Sequence, residues 1–196
     1  METFFAYLLL GILVANCLVL LLSRDWRWSL AALGFQYLIA FSLVSASWPL
    51  ELAAVKLVAG WMATAILGIS YLNMQGQPEE AEGFPRSRAF LALAAGLVII
   101  LVLGVAPSLA TWSPLFATNQ AWGGLFLTGM GIMQVGLGSR LFRNFLGLLT
   151  LLAGFETLYA AVETSILVAG LLAILNLGVA LIGSYLMLSP GLDSRA

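Results

Sequence analysis

The chain has 196 residues, of which 62% are hydrophobic and 9% are charged, with a net charge of −1. A soluble domain is about half apolar and about a quarter charged, so this composition excludes an ordinary soluble protein and leaves no room for a soluble catalytic domain. Histidine is absent and Cys17 is the one cysteine. We therefore expect no disulfide, no metal site, no cofactor and no enzyme activity of its own, and the lack of a basic cluster argues against nucleic acid as a partner.

Seven apolar segments follow one another along the chain, and a helix needs about 20 apolar residues to cross a bilayer. They predict an all-α polytopic membrane protein of about seven transmembrane helices, over residues 3–22, 29–48, 50–73, 89–111, 121–139, 145–162 and 165–189. Glu2 is the only charged side chain before the first segment. Because a cleaved signal carries positive charge there, we expect a retained first helix.

The basic residues predict the orientation of these helices. If the helices alternate in direction, every arginine falls on one side of the membrane: Arg24, Arg27, Arg86, Arg88, Arg140, Arg143 and Arg195. A count of six helices would scatter them across both sides. Short loops rich in lysine and arginine stay in the cytoplasm, so we expect the N-terminus outside and the C-terminus inside. The membrane is expected to be the cell inner (plasma) membrane or an equivalent energy-transducing membrane.

Two short motifs indicate an internal repeat. The pattern Ser-Arg-x-x-Arg at 23–27 recurs at 139–143, and Ile-Ser-Tyr-Leu at 69–72 recurs approximately as Gly-Ser-Tyr-Leu at 183–186. We interpret residues 1–74 and 121–196 as two parallel three-helix repeats, joined by a polar linker and a connecting helix within 75–120. The alternative is a chance match between residues that are common in membranes.

Glu156 is the first candidate for chemistry, because an ionisable group inside hydrocarbon costs about 2.5–3.5 kcal/mol at a helix centre and usually marks function. Glu163 follows seven residues later, on the same face and about 10 Å along the axis of a continuous helix. With Tyr159 on the same side, the two carboxylates form a candidate proton path. Two other interpretations stay open: Glu163 is a loop residue at the outer surface, and Glu156 only fixes packing.

Lys56, Glu51 and Asn176 complete the set of candidates for a proton or ion path. A buried lysine changes its protonation state readily, which suits a relay, but Lys56 equally fits a side chain that extends to the interface. Glu51 lies five residues earlier, a spacing that does not align the two on one helical face. Asn176 is expected near the middle of the last helix, where an amide more often bridges helices than conducts.

The fifth segment carries glycines in two stripes at helical spacing. Gly124, Gly131 and Gly138 form one stripe, and Gly129 and Gly136 form another on nearly the opposite face. Small residues allow helices to approach closely in membranes. We therefore expect this helix to lie between two others.

The second half resembles the K subunit of complex I and the C subunit of Mrp-type cation/proton antiporters. The stretch from Arg143-Asn144-Phe145 to Glu156 looks like their arginine-asparagine opening and intramembrane glutamate. Asn176 before Gly178-Val179-Ala180-Leu181 looks like their third helix, which often carries another carboxylate. Here that position is an amide, which cannot ionise, and Glu156 falls about one turn later than the family glutamate.

Over its whole length the chain more closely resembles the E subunit of hydrogenase-4 and formate hydrogenlyase complexes. This resemblance implies a membrane-arm subunit beside a larger antiporter-like subunit, contributing to a proton or sodium path that redox chemistry elsewhere drives. Two alternatives remain: a purely structural subunit that holds larger membrane partners together, and an independent small transporter.

Overall fold

The computed structural model of the chain describes residues 2–23, 25–74, 88–112, 118–138 and 140–189. Over these residues the chain forms seven α-helices and no strand: α1 (Glu2–Leu22), α2 (Trp26–Val44), α3 (Leu50–Met74), α4 (Arg88–Trp112), α5 (Thr118–Leu137), α6 (Leu141–Tyr159) and α7 (Ile166–Leu188). Five of these, α2, α3, α4, α6 and α7, are long and apolar enough to cross a membrane. The prediction of an all-α polytopic membrane protein is confirmed.

Several predicted boundaries were wrong by a few residues. Helix α2 begins at Trp26 because Asp25 caps it, with its carboxylate accepting the backbone N–H of Arg27 at 3.0 Å. Helix α6 begins at Leu141, so Arg143 lies in its first turn and not in a loop. Pro107 lies inside α4, within the predicted bounds of 89–111. Most of the predicted polar linker (75–88), Pro114, Ser139 and the arginines at 24, 86 and 195 lie outside the described residues.

The helix connections gather at two ends of the bundle. At one end, which we call the arginine end, Arg143 of α6 donates hydrogen bonds to the backbone carbonyls of Leu21 and Ser23, where α1 finishes. At the other, the turn end, the indole of Trp48 after α2 donates to the carbonyl of Glu163 before α7, at 2.7 Å. Consecutive helices therefore alternate in direction.

Helix α5 is not among the five helices that are long and apolar enough to cross a membrane, yet it runs from the turn end to the arginine end beside α6. It packs against α6 along its length and also against α4 and α1. An added Cβ on Gly131 would lie 2.3 Å from the backbone nitrogen of Leu151, and one on Gly129 would lie 2.8 Å from Val98. The glycines thus let α5 lie between α6 and α4, so that protein rather than lipid surrounds its polar side chains.

Each helix of the first half contacts the helix four places later, in the pairs α1–α5, α2–α6 and α3–α7. The closest of these pairs is α3–α7. Between α3 and α7 the hydroxyl of Ser70 donates to the hydroxyl of Ser184 at 2.6 Å. These two serines occupy matching positions in the second motif of the predicted repeat. The division of the chain into two repeats stays a prediction.

Candidate functional site

A buried ion pair joins the two halves of the chain. The ammonium of Lys56, from α3, bonds to Oε2 of Glu156, from α6, and the side chains are 4% and 3% exposed. Lys56 also lies 3.5 Å from the carbonyl oxygen of Ala153. A lone charge is costly to bury, and a partner with good hydrogen bonds offsets that cost. The two strongest candidates from the sequence are therefore each other's partners.

The pair extends into a chain of hydrogen bonds across four helices. Asn176 of α7 donates its amide N–H to Oε1 of Glu156, so each carboxylate oxygen accepts from a different helix. The hydroxyl of Tyr37, from α2, donates to Oδ1 of Asn176 at 2.8 Å. Tyr37, Lys56, Glu156 and Asn176, which we call the buried quartet, are all buried.

Gly60 makes room for the tyrosine of the quartet. A Cβ at Gly60 on α3 would lie 2.1 to 2.4 Å from three ring atoms of Tyr37, closer than any real carbon contact. Only a residue without a side chain lets the ring pass α3 and reach Asn176 on α7. Gly60 therefore belongs to the site although it bears no chemistry.

The quartet lies nearer the turn end than the arginine end. Glu156 is three residues before the last residue of α6, or about 4.5 Å at 1.5 Å per residue, and Lys56 is six residues into α3, or about 9 Å. Asn176 is ten residues into α7, about 15 Å from the same end. The polar chain therefore runs obliquely inward from the ion pair to Asn176.

A second polar chain leads from the turn end to the ion pair. Ser47, after α2, donates to Oε1 of Gln120 at 2.6 Å, and Nε2 of Gln120 donates to the carbonyl of Thr157 at 2.9 Å. The hydroxyl of Thr157 donates to the carbonyl of Ala153 at 2.7 Å, the same oxygen that Lys56 approaches. These contacts make a polar connection through an otherwise apolar region.

The remaining sequence candidates lie outside the quartet. Helix α6 ends at Tyr159, so Glu163 does not share a helical face with Glu156, and the other interpretation, that Glu163 lies in a loop, is the one that the structure shows. Glu163 lies in the turn, where its carboxylate accepts the backbone N–H of Ser165 at 3.0 Å. The ring of Tyr159 stacks on Phe155. Glu51 is exposed in the first turn of α3.

Sequence reasoning missed Tyr37 and Gln120. The sequence carried a signal for Tyr37, namely its position inside an apolar segment. Tyrosines of membrane proteins concentrate at the interfaces, but Tyr37 is seven residues from the nearer end of α2. Gln120 had no such signal, because it stands in the first turn of α5, where a polar residue is ordinary.

Within the described part of the chain no cluster of three histidine, cysteine or acidic residues is arranged to hold a metal ion. The arrangement is one of proton donors and acceptors: an ammonium, a carboxylate, an amide and a phenol. Comparisons of the chain with known protein families, with curated proteins and with solved structures find no match.

Proposed function

We propose that the chain is a membrane-arm subunit of a complex I-like, group 4 hydrogenase-like or Mrp-like ion-translocating complex, in which Lys56 and Glu156 form one step of the ion path. The observation that carries this proposal is the ion pair between α3 and α6, almost fully buried in a bundle of apolar helices. Ionisable groups inside a membrane are expensive and mark ion pathways.

The geometry suits a proton better than a sodium ion. Both oxygens of Glu156 already accept N–H groups, from Lys56 and Asn176, so a metal cation would have to displace a donor. A proton that moves from the ammonium of Lys56 to the carboxylate of Glu156 leaves both groups neutral. The pair can therefore change its charge state without leaving a lone charge in the bundle, which is the costly situation.

The partners in this proposal are other membrane subunits, among them a larger antiporter-like subunit, with the lipid bilayer around them. Electron transfer elsewhere in the complex would drive the path, so this subunit is not itself an enzyme. We propose the energy-transducing plasma membrane as the location, with the arginine end in the cytoplasm, since loops rich in arginine stay there.

The test is ion flux in vesicles that hold the native complex, with Glu156→Gln compared with Glu163→Gln. Both variants convert a carboxylate into an amide, but only the first alters the ion pair, because Glu163 lies in the connection between α6 and α7, where its carboxylate accepts from Ser165. We expect Glu156→Gln to abolish coupled flux while the complex still co-purifies, and Glu163→Gln to leave flux unchanged.

Two other outcomes would support the alternatives. Undiminished flux in Glu156→Gln would remove Glu156 from the path and favour a structural subunit. If the chain purifies as a stable monomer or homo-oligomer and transports ions without partners, it is an independent transporter.

A further inference from the structure

A small cavity lies at the arginine end, remote from the buried quartet. It measures about 30 Å³, opens on one side, and lies among the ends of α1, α4, α5 and α6. Leucine side chains form most of its wall, among them Leu20, Leu91 and Leu146. Its polar lining comes from Gln134 and Arg143. We call it the arginine-end pocket.

Gln134 gives this pocket an unmet hydrogen-bonding requirement. The residue is 7% exposed, and within the described part of the chain its Nε2 has no hydrogen-bond acceptor. An unpaired donor costs free energy when it is buried. The cavity beside it has the volume that a water-sized polar group needs, so a ligand atom that accepts a hydrogen bond fits there.

Arg143 determines the charge of the ligand. Arg143 is one of the residues that line the cavity, and its guanidinium donates to the carbonyls of Leu21 and Ser23 at the end of α1. A guanidinium has five N–H donors in a planar fork that matches phosphate and carboxylate. An anionic oxygen in the pocket would face both this positive charge and the N–H of Gln134.

The surroundings indicate that the anion belongs to a lipid. Helix α4, which forms one wall, faces outward over most of its length, and Leu93 and Leu97 near the pocket are 76% and 56% exposed. The pocket lies at the arginine end, among the ends of four helices, and the ends of helices that cross a bilayer come near its headgroups. Basic pockets between transmembrane helices bind such headgroups.

We propose that the arginine-end pocket binds the phosphate group of an anionic phospholipid. One phosphate oxygen accepts from Gln134 and faces Arg143, and the leucines of α1 and α4 contact the first methylene groups of the acyl chains. The bound lipid then holds the end of α1 against α4 and α6, independently of the ion path.

The test measures lipid binding to the full chain in detergent, by native mass spectrometry and by the rise in unfolding temperature. The probes are phosphatidylglycerol, phosphatidylcholine and inorganic phosphate. The variants are Gln134→Leu and, as a matched control, Gln36→Leu. Gln36 is also buried, and among the described residues its Nε2 has no acceptor; its Oε1 accepts from Cys17, and the residue does not line the pocket.

We expect phosphatidylglycerol to bind the wild-type chain and Gln36→Leu equally, and Gln134→Leu about tenfold more weakly, since a hydrogen bond to a charged group is lost. Without anionic lipid, Gln134→Leu should unfold no earlier than the wild type, because the substitution removes an unpaired donor. Three results would each overturn the proposal. Gln134→Leu could bind phosphatidylglycerol as tightly as the wild type, or the wild type could bind phosphatidylcholine as tightly as phosphatidylglycerol. Millimolar inorganic phosphate could also displace the lipid.

Discussion

Breaking the ion pair from one side should cost far more stability than removing it from both sides. In the intact pair the side chains of Lys56 and Glu156 are 4% and 3% exposed. In Lys56→Met the carboxylate of Glu156 loses its cation but remains buried. Removal of one partner of a buried pair costs about 3–5 kcal/mol. We expect a loss of that size in the free energy of unfolding.

The double variant Lys56→Met/Glu156→Gln should recover at least half of this loss. Methionine fills nearly the volume of the lysine chain, and the oxygen of a glutamine at 156 can still accept the N–H of Asn176. With no charge left to bury, replacement of such a pair is often close to neutral. The coupling free energy between the two substitutions, taken from the unfolding of the single and double variants, should therefore be several times that of an exposed ion pair.

The assay is reversible unfolding in mixed detergent and SDS, followed by circular dichroism. Glu51→Gln is the control, since Glu51 is exposed and its substitution should stay within about 0.5 kcal/mol of the wild type. If Lys56→Met costs no more than about 1 kcal/mol, the value of a surface pair, the pair is not buried as described and the reasoning fails.

Two further predictions concern the glycines. Gly60→Ala should move the ring of Tyr37 away from α3 and lower ion flux, although Lys56 and Glu156 are intact. The measurement is ion flux at equal amounts of assembled complex. Unchanged flux would place Tyr37 outside the ion path. Gly131→Leu should block folding, because α6 lies against that glycine. Gly136→Leu should be tolerated, because no described atom lies within 4 Å of a Cβ added there. Gel filtration distinguishes the two variants.

The sequence predicted the class of the fold well, because the requirement for about 20 apolar residues per crossing is strong and local. Helix ends were less predictable. Ala160, Ala161 and Val162 continue the apolar pattern after α6, although the helix stops at Tyr159, since apolar composition does not mark where hydrogen bonding ends. The start of α2 carried a local signal, the capping residue Asp25, which the predicted start at residue 29 did not use.

The sequence singled out three of the four residues of the buried quartet, but not their assembly. Lys56, Glu156 and Asn176 each stood out as polar groups in apolar segments. Their contact could not be derived, because Lys56 and Glu156 are separated by 100 residues and come from different halves of the chain. Within a helix, spacing determines which residues meet; between helices, rotation and packing decide, and no short motif records them.

The central claim is that Glu156 changes its protonation while the complex works. Infrared difference spectra, recorded between resting and turning-over complex in membranes, measure this directly. We expect a carboxylic-acid carbonyl band that changes with turnover in the wild type and in Glu163→Gln, and that is missing in Glu156→Gln. A wild-type spectrum without such a band, or the same band in Glu156→Gln, would contradict this claim.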